Sequence, residues 1–151
     1  MKWIKLFESF EKSEWYEPFM IWDEYYEWCL GKGPNGKPTS FSDSEISRIK
    51  SILPSGDDFS IVRNGPASTN PEGQLITISR KDRESKGGFF VKKNVNIYQL
   101  TIMKFSDDWF TCQVYLRDEK GIFSISNYYK CDQIDGLIRI IKDVINWIEI
   151  W

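Results

Sequence analysis

Histidine is absent from this chain of 151 residues. Its absence removes imidazole as a general acid or base, as the activator of a nucleophile and as a metal ligand. Enzyme chemistry would therefore depend on carboxylate, lysine, cysteine or tyrosine side chains. Two pairs of adjacent aspartates, Asp57-Asp58 and Asp107-Asp108, lie at predicted turns, where aspartate is favoured because its side chain bonds the local backbone. The sequence predicts no catalytic residue, no metal site and no cofactor.

Cysteine is scarce, and long apolar segments are lacking. The three cysteines, Cys29, Cys112 and Cys131, form no CxxC pair, so neither a zinc ribbon nor a dithiol redox site is indicated. We expect reduced, partly buried thiols that pack as small apolar groups. No apolar run is long enough to span a bilayer, and the N-terminus lacks the uninterrupted apolar segment of a secretory signal. The sequence thus favours a cytoplasmic protein without membrane contact.

A basic excess is missing as well. The formal net charge is −2, whereas a protein that binds the nucleic-acid backbone generally carries a dense basic stripe. Residues 80–93 form a basic segment, with six Lys or Arg against two acidic residues. A solvated loop accounts for this segment more simply than a phosphate site does. Lys92 and Lys93 therefore enter only an alternative interpretation.

Aromatic residues, by contrast, are abundant. Seven Trp, seven Tyr and ten Phe make up 16% of the chain. Rings of this size must fill a core or line a contact surface, because each one buries a large apolar area. Their number predicts a folded protein, and the length favours a single domain over residues 1–151.

Residues 1–31 form an aromatic-rich segment with helical periodicity. Apolar residues recur at helical spacing within residues 1–10, so a short amphipathic helix is predicted there. A second short helix is expected to have Asp23 as its N-cap and to end at Gly31.

Two further helices are predicted. One covers residues 42–53, where Ser42 and Glu45 have the spacing of a capping box. The other covers residues 132–150, with Asp132 as its N-cap and a continuous apolar stripe along its length.

Between these helices, residues 59–129 alternate between apolar and polar, which predicts strands. The predicted strands are Phe59–Arg63, Gln74–Arg80, Asn96–Phe105, Trp109–Arg117 and Gly121–Tyr129. Short turns join the last three into an antiparallel meander, whereas the pairing of the first two is open. The order of elements indicates an α+β fold, in which an antiparallel sheet of about five strands carries the helices on one face.

The meander has two dissimilar faces. One is a floor for the C-terminal helix, formed by Phe110, Cys112, Val114 and Leu116. The opposite face carries Trp109, Tyr115, Tyr128 and Arg117. With Lys92 and Lys93, the residues of that face define an alternative ligand-binding surface that could stack the bases of a single strand or a nucleotide. Alternating polar residues are also typical of any one-sided sheet, and this simpler interpretation is favoured. The N-terminal segment could also cover the rings.

The C-terminal helix is apolar on a second side. Ile140, Trp147 and Trp151 lie there, beyond the main stripe. A helix that is apolar on two sides is buried on two sides, either by the N-terminal aromatics of this chain or by a second protein. Internal cover is favoured, but uncovered rings would mark an interface. The candidate partner-binding residues are therefore Trp147, Trp151, Ile140, Trp3 and Phe7.

The opening residues, Met1-Lys-Trp-Ile-Lys-Leu-Phe-Glu-Ser-Phe10, resemble leaders on small proteins of large tailed bacteriophages. Some leaders of that group are capsid-targeting tags, cut by a maturation protease after an apolar-x-Glu triplet and before a small residue. Leu6-Phe7-Glu8 followed by Ser9 fits that pattern. The segment Tyr128-Tyr-Lys-Cys-Asp-Gln133 is similar to the strand-to-helix junction of uncharacterised viral proteins. The resemblance implies a viral accessory protein, in the host cytoplasm or the virion, and assigns no catalytic residue.

Three functional hypotheses remain. The leading one is a non-catalytic protein-binding or assembly protein that acts through aromatic surfaces, with a protein partner or self-association. The alternative is a module that binds single-stranded nucleic acid or a nucleotide, which the charge does not favour. The second alternative is a small enzyme that works without histidine, in a pocket between the sheet and the helices.

Overall fold

The computed structural model describes residues 14–19, 21–63, 73–81, 96–117 and 124–149. In these ranges the elements are β1 Glu17–Pro18, α1 Trp22–Cys29, β2 Pro38–Thr39, α2 Asp43–Ser51, β3 Asp58–Arg63, β4 Gln74–Lys81, β5 Asn96–Phe105, β6 Phe110–Arg117, β7 Ser124–Cys131 and α3 Ile134–Glu149. The predicted helix within residues 1–10 lies outside the described residues.

The strands form one antiparallel sheet in the order β1-β7-β6-β5-β4-β3, and β2 pairs with β5. This architecture confirms the α+β class and the β5-β6-β7 meander. The pairing that the sequence left open is also antiparallel, β3 with β4 and β4 with β5. The sheet has seven strands instead of about five, because β1 and β2 have two residues each and are too short to show a period of two.

The inner face of the sheet is the face that packs against α2 and α3. It presents Leu100 and Ile102 of β5 opposite Val114 and Cys112 of β6, and all four are at most 2% exposed. The residues of α3 in the same core are Leu137, Ile138, Ile140, Ile141, Val144 and Ile145. Each large apolar side chain buried in this way contributes on the order of 1.5–3 kcal/mol. The predicted floor for the C-terminal helix is thus confirmed.

The outer face of the sheet is covered in part by α1. Phe19, Tyr25 and Trp28 form a second buried cluster there with Met103 and Phe105 of β5. The sequence prediction put the helices on one face of the sheet, whereas the structure distributes them over both. Large rings on the outer face explain the difference, because a solvated face cannot bury them.

The helix boundaries follow from capping. The capping box of α2 is confirmed: the Ser42 hydroxyl accepts from the Glu45 amide at 3.1 Å, and the Glu45 carboxylate accepts from the Ser42 amide at 2.8 Å. The predicted end of α1 at Gly31 is also confirmed. Gly31 has a φ of 75°, and its amide donates to the Trp28 carbonyl at 2.9 Å. A left-handed residue that ends a helix is most often glycine.

The two predicted N-caps differ from the observed ones. Ile21 occupies the N-cap of α1, and Asp23 lies in the first turn, where a carboxylate favours the positive end of the helix dipole. At α3 the Gln133 carbonyl accepts from the Leu137 amide at 3.4 Å, so the cap is Gln133 and not Asp132. None of the helices in the described ranges combines the length and the apolar character needed to cross a bilayer.

Candidate functional site

One side of α1 is uncovered. Trp22, Tyr26 and Leu30 follow one another at intervals of four residues and therefore share a side of the helix. They are 52%, 47% and 47% exposed, and the preceding Ile21 is 63% exposed. These four residues are called the α1 stripe. In the described ranges, the other exposed large apolar side chains are those of Trp15, Ile61 and Val62.

The rings of the α1 stripe are held in a fixed arrangement. The indole Nε1 of Trp22 donates to the Tyr128 hydroxyl at 2.8 Å. The Trp22 ring stacks on Tyr26, with centroids 5.2 Å apart and planes 16° apart. An exposed ring with a hydrogen bond and a stacking neighbour has few rotamers left to lose when a partner binds.

The other side of α1 is fixed to the sheet. Trp28 packs edge-on against Phe105, with centroids 5.2 Å apart. Tyr25 lies 4.3 Å from the Tyr128 ring. The Lys130 ammonium is 2.9 Å from the Glu24 carboxylate. With one side anchored, α1 cannot turn its exposed rings inward without breaking these contacts.

Acidic side chains border the α1 stripe. Asp23 and Glu27 are both exposed and directly follow Trp22 and Tyr26 in the chain. Residues 13–31 contain no Lys or Arg, and their acidic residues are Glu14, Glu17, Asp23, Glu24 and Glu27. Asp23 and Glu27 therefore give the Trp22–Tyr26 part of the stripe an acidic border.

Among the partner-binding residues predicted on the C-terminal helix, Ile140 has a described side chain. Ile140 is fully buried, so it cannot contact a partner. Tyr16 covers this side of α3: it lies in the core, and its hydroxyl donates to Asp143 at 2.7 Å. The other predicted partner-binding residues lie outside the described residues or have side chains that do: Trp3, Phe7, Trp147 and Trp151.

Of the alternative ligand-binding residues, Tyr115, Arg117 and Tyr128 lie on the outer face of the neighbouring strands β6 and β7. Trp109 and Tyr128 pack into the cluster beneath α1, which covers them in part. Arg117 is 9% exposed and Tyr115 is half-buried. Lys92 and Lys93 lie outside the described residues. A base-stacking surface needs accessible rings, and α1 covers part of Trp109 and Tyr128.

The aspartate pairs have structural roles. Asp57 is a buried carboxylate that pairs with the Arg80 guanidinium at 2.7 Å and accepts a hydrogen bond from Tyr98. Asp108 adopts a φ of 63° in the β5-β6 turn, where its amide donates to the Phe105 carbonyl at 3.0 Å. Aspartate tolerates this left-handed conformation better than most residues do. Asp57 and Asp108 therefore serve the strand end and the turn where the sequence placed them.

The thiols are poorly suited to nucleophilic chemistry. Burial raises the pKa of Cys131 to about 12, raises the pKa of Cys112 well above its usual value and raises the pKa of Cys29. The thiolate is the reactive form, so these groups are largely unreactive at neutral pH. In the described ranges, no group of three or more Cys, Asp or Glu residues is placed to hold a metal ion.

Comparison with known proteins identifies no relative: no family model, no curated protein and no solved structure matches this chain. The α1 stripe is therefore the candidate functional site, and the sequence patterns did not single it out. Its signal was present in the sequence, since the eight residues of α1 include Trp22, Tyr25, Tyr26 and Trp28. Four rings on so short a helix point in more directions than one sheet face can cover.

Proposed function

We propose that this protein is a non-catalytic protein-binding or assembly protein and that the α1 stripe is its contact surface. The observation that carries the proposal is the ordered Trp22–Tyr26 stack, which is about half exposed although its own helix is anchored. Trp and Tyr are enriched among the residues that contribute most to interface affinity. Burying each stripe side chain against a partner would contribute on the order of 1–3 kcal/mol.

The acidic border specifies the chemistry of the partner. Asp23 and Glu27 favour a segment in which Lys or Arg flanks apolar residues, because complementary charges accelerate encounter and disfavour acidic competitors. The apolar residues of that segment would cover the stripe, and its cations would lie beside the carboxylates. Binding to this surface should therefore weaken as the salt concentration rises.

A selection from a random peptide library displayed on yeast, with the whole chain as bait, tests the proposal. We expect the selected peptides to combine apolar residues with Lys or Arg. The double variant Trp22→Ser/Tyr26→Ser should bind them at least about tenfold more weakly, as expected when contact rings are removed. Trp15→Ser is the matched control, since it removes a ring that is 51% exposed but lies outside α1.

Charge reversal separates the contribution of the carboxylates from the contribution of the rings. Asp23→Lys/Glu27→Lys keeps every ring and should abolish the preference for basic peptides. Peptides that bind the double ring variant as tightly as the unmodified chain would contradict the proposal. Selection of acidic peptides would contradict the assignment of the partner.

The leader-like residues 6–9 support a viral setting for this function. We infer that the protein is a phage accessory protein, present in the host cytoplasm or packaged in the virion. Mass spectrometry of purified virions tests packaging: a chain that begins at Ser9 is expected. A virion-associated chain that retains Met1 would contradict removal of a leader.

A further inference from the structure

The two edges of the sheet differ in how well they are protected. The β1 edge has two residues, one of which is Pro18, and both short strands and proline discourage further pairing. The β3 edge has six residues without Pro or Lys. Within the described ranges β3 pairs with β4 and with no other strand. Ile61 and Val62 on β3 are 36% and 49% exposed.

From this edge we infer that β3 pairs antiparallel with β3 of a second copy of this chain, about a twofold axis that is normal to the sheet and passes midway between the Ser60 residues of the two copies. The inference goes beyond the proposed function and does not depend on the α1 stripe. The partner strand is a second copy of β3, because the inner-face side chains of two antiparallel copies of this strand are complementary.

The register gives the complementarity. Phe59 and Ile61 are paired with Ile78 and Ile76 of β4, both fully buried, so they belong to the inner face. A twofold axis normal to the sheet carries the inner face of one copy onto the inner face of the other. With the two Ser60 residues opposite each other across the axis, Phe59 of each copy lies opposite Ile61 of the other. Aromatic and β-branched residues are among the cross-strand pairs that stabilise sheets, and this pair occurs twice.

The inner face selects the direction and the apolar pair selects the register. A parallel pair would need a twofold axis along the strands, which would place the inner face of one copy beside the outer face of the other, so the apolar pairs form only in the antiparallel arrangement. A twofold axis through Ile61 would place Phe59 opposite Arg63 and lose both apolar pairs.

The expected contact is small. The strand offers five residues for symmetric pairing, fewer than the roughly 20–30 residues a side of a standard interface, so the dimer should be weak and concentration-dependent. Its effect would be to continue the sheet and its apolar inner face from one copy into the next.

Cysteine cross-linking of the full chain tests the register. Ser60→Cys places two thiols opposite each other across the axis, within the range that a disulfide can bridge. Under mild oxidation we expect a disulfide-linked dimer on a non-reducing gel. Val62→Cys is the matched control, because its opposite residue is Asp58 and the two new thiols lie too far apart to join. The unmodified chain gives the background from its three native cysteines.

Sedimentation velocity provides the second measurement. The unmodified chain should shift from monomer to dimer with concentration, and Ser60→Lys, which opposes two ammonium groups at the axis, should raise the dissociation constant at least tenfold. Trp22→Ser/Tyr26→Ser should dimerise like the unmodified chain, which separates this surface from the α1 stripe. A monomer at every concentration would overturn the inference, as would equal cross-linking by both cysteine variants. A mixed disulfide of Ser60→Cys with another protein of a cell extract, in place of the dimer, would also overturn it.

Discussion

The helices α1 and α3 both carry more apolar side chains than a single contact face requires, yet they are covered to different extents. On α3, Ile138, Ile140 and Ile145 are at most 7% exposed. On α1, Tyr25 and Trp28 are at most 7% exposed, while Trp22 and Tyr26 remain about half exposed. One helix is therefore a core element, and the other is a core element on one side and a surface on the other.

The number of neighbouring elements explains this difference. The sheet lies beneath α3, α2 lies along one side with Arg48 paired to Asp135 at 2.6 Å, and Tyr16 covers the other side. By contrast, α1 packs on the outer face of the sheet through one side. Apolar surface that a fold leaves uncovered is a candidate interface. An apolar excess on a helix therefore indicates a binding surface only where no other element covers it.

The largest expected effect compares one apolar truncation on each helix. Ile140→Ala leaves a cavity in the core and should lower the free energy of unfolding by about 2–5 kcal/mol. Leu30→Ala removes part of the exposed α1 stripe and should change the free energy of unfolding by less than about 0.5 kcal/mol. Urea denaturation of both variants measures the two values. Equal losses would contradict the difference in cover between α1 and α3.

A second effect concerns the cover of α3. Gly136 lies so close to its neighbours that a Cβ there would be 2.4 Å from the Trp15 carbonyl oxygen and 2.7 Å from the Cys131 Cβ. Gly136→Ala should therefore lower the free energy of unfolding by about 1–3 kcal/mol, because overpacking outweighs the better helix propensity of alanine.

The control for Gly136→Ala is Asn146→Ala, at an exposed position of the same helix. There alanine should raise stability by a few tenths of a kcal/mol, roughly, because only the propensity changes. A stabilised Gly136→Ala variant would show that the chain before β1 does not cover α3.

A third effect isolates one hydrogen bond of that cover. Tyr16→Phe removes the bond to the Asp143 carboxylate but keeps the edge-on contact of the ring with Tyr129, at 5.7 Å. Because the acceptor is charged, loss of this bond should lower the free energy of unfolding by about 1–2 kcal/mol, as measured by chemical denaturation. Tyr26→Phe on the α1 stripe should be close to neutral, and a cost like that of Tyr16→Phe would argue against an exposed Tyr26.

The smallest expected effect concerns the hydrogen bond that fixes Trp22 in the α1 stripe. Tyr128→Phe removes the acceptor for the Trp22 indole and should cost less than about 1 kcal/mol of stability, since the bond is exposed. The same change should weaken the binding of selected peptides by a few-fold, because Trp22 would then lose more rotamer freedom on binding. Isothermal titration calorimetry measures both affinities, and an unchanged affinity would show that fixing Trp22 does not matter.

Much of the fold could be predicted from local signals. The period of two located β3 to β7, the capping box located α2, and Gly31 located the end of α1. These signals are local, since they involve residues a few positions apart. The alternation of β6 also separated the inner face from the outer face correctly, because one register fixes every side chain of a strand.

The site could not be predicted in the same way, because exposure is a tertiary property. Ile140 and Trp22 look alike in sequence, each an apolar residue beyond the main stripe of its helix. Only the position of Tyr16 and α2 shows that the first is enclosed, and only the placement of α1 on the outer face shows that the second is not. The expected cover by N-terminal aromatics is provided near α3 by Tyr16, which the periodicity did not single out.

The most direct test of the central claim is hydroxyl-radical footprinting of the full chain, with residue-level oxidation rates read by mass spectrometry. The free chain should show fast oxidation of Trp22 and Tyr26 and slow oxidation of Trp28 and Tyr25. Addition of a selected basic peptide should protect the first pair and leave the second unchanged. Equal rates for Trp22 and Trp28, or protection that falls elsewhere on the chain, would contradict the α1 stripe as the contact surface.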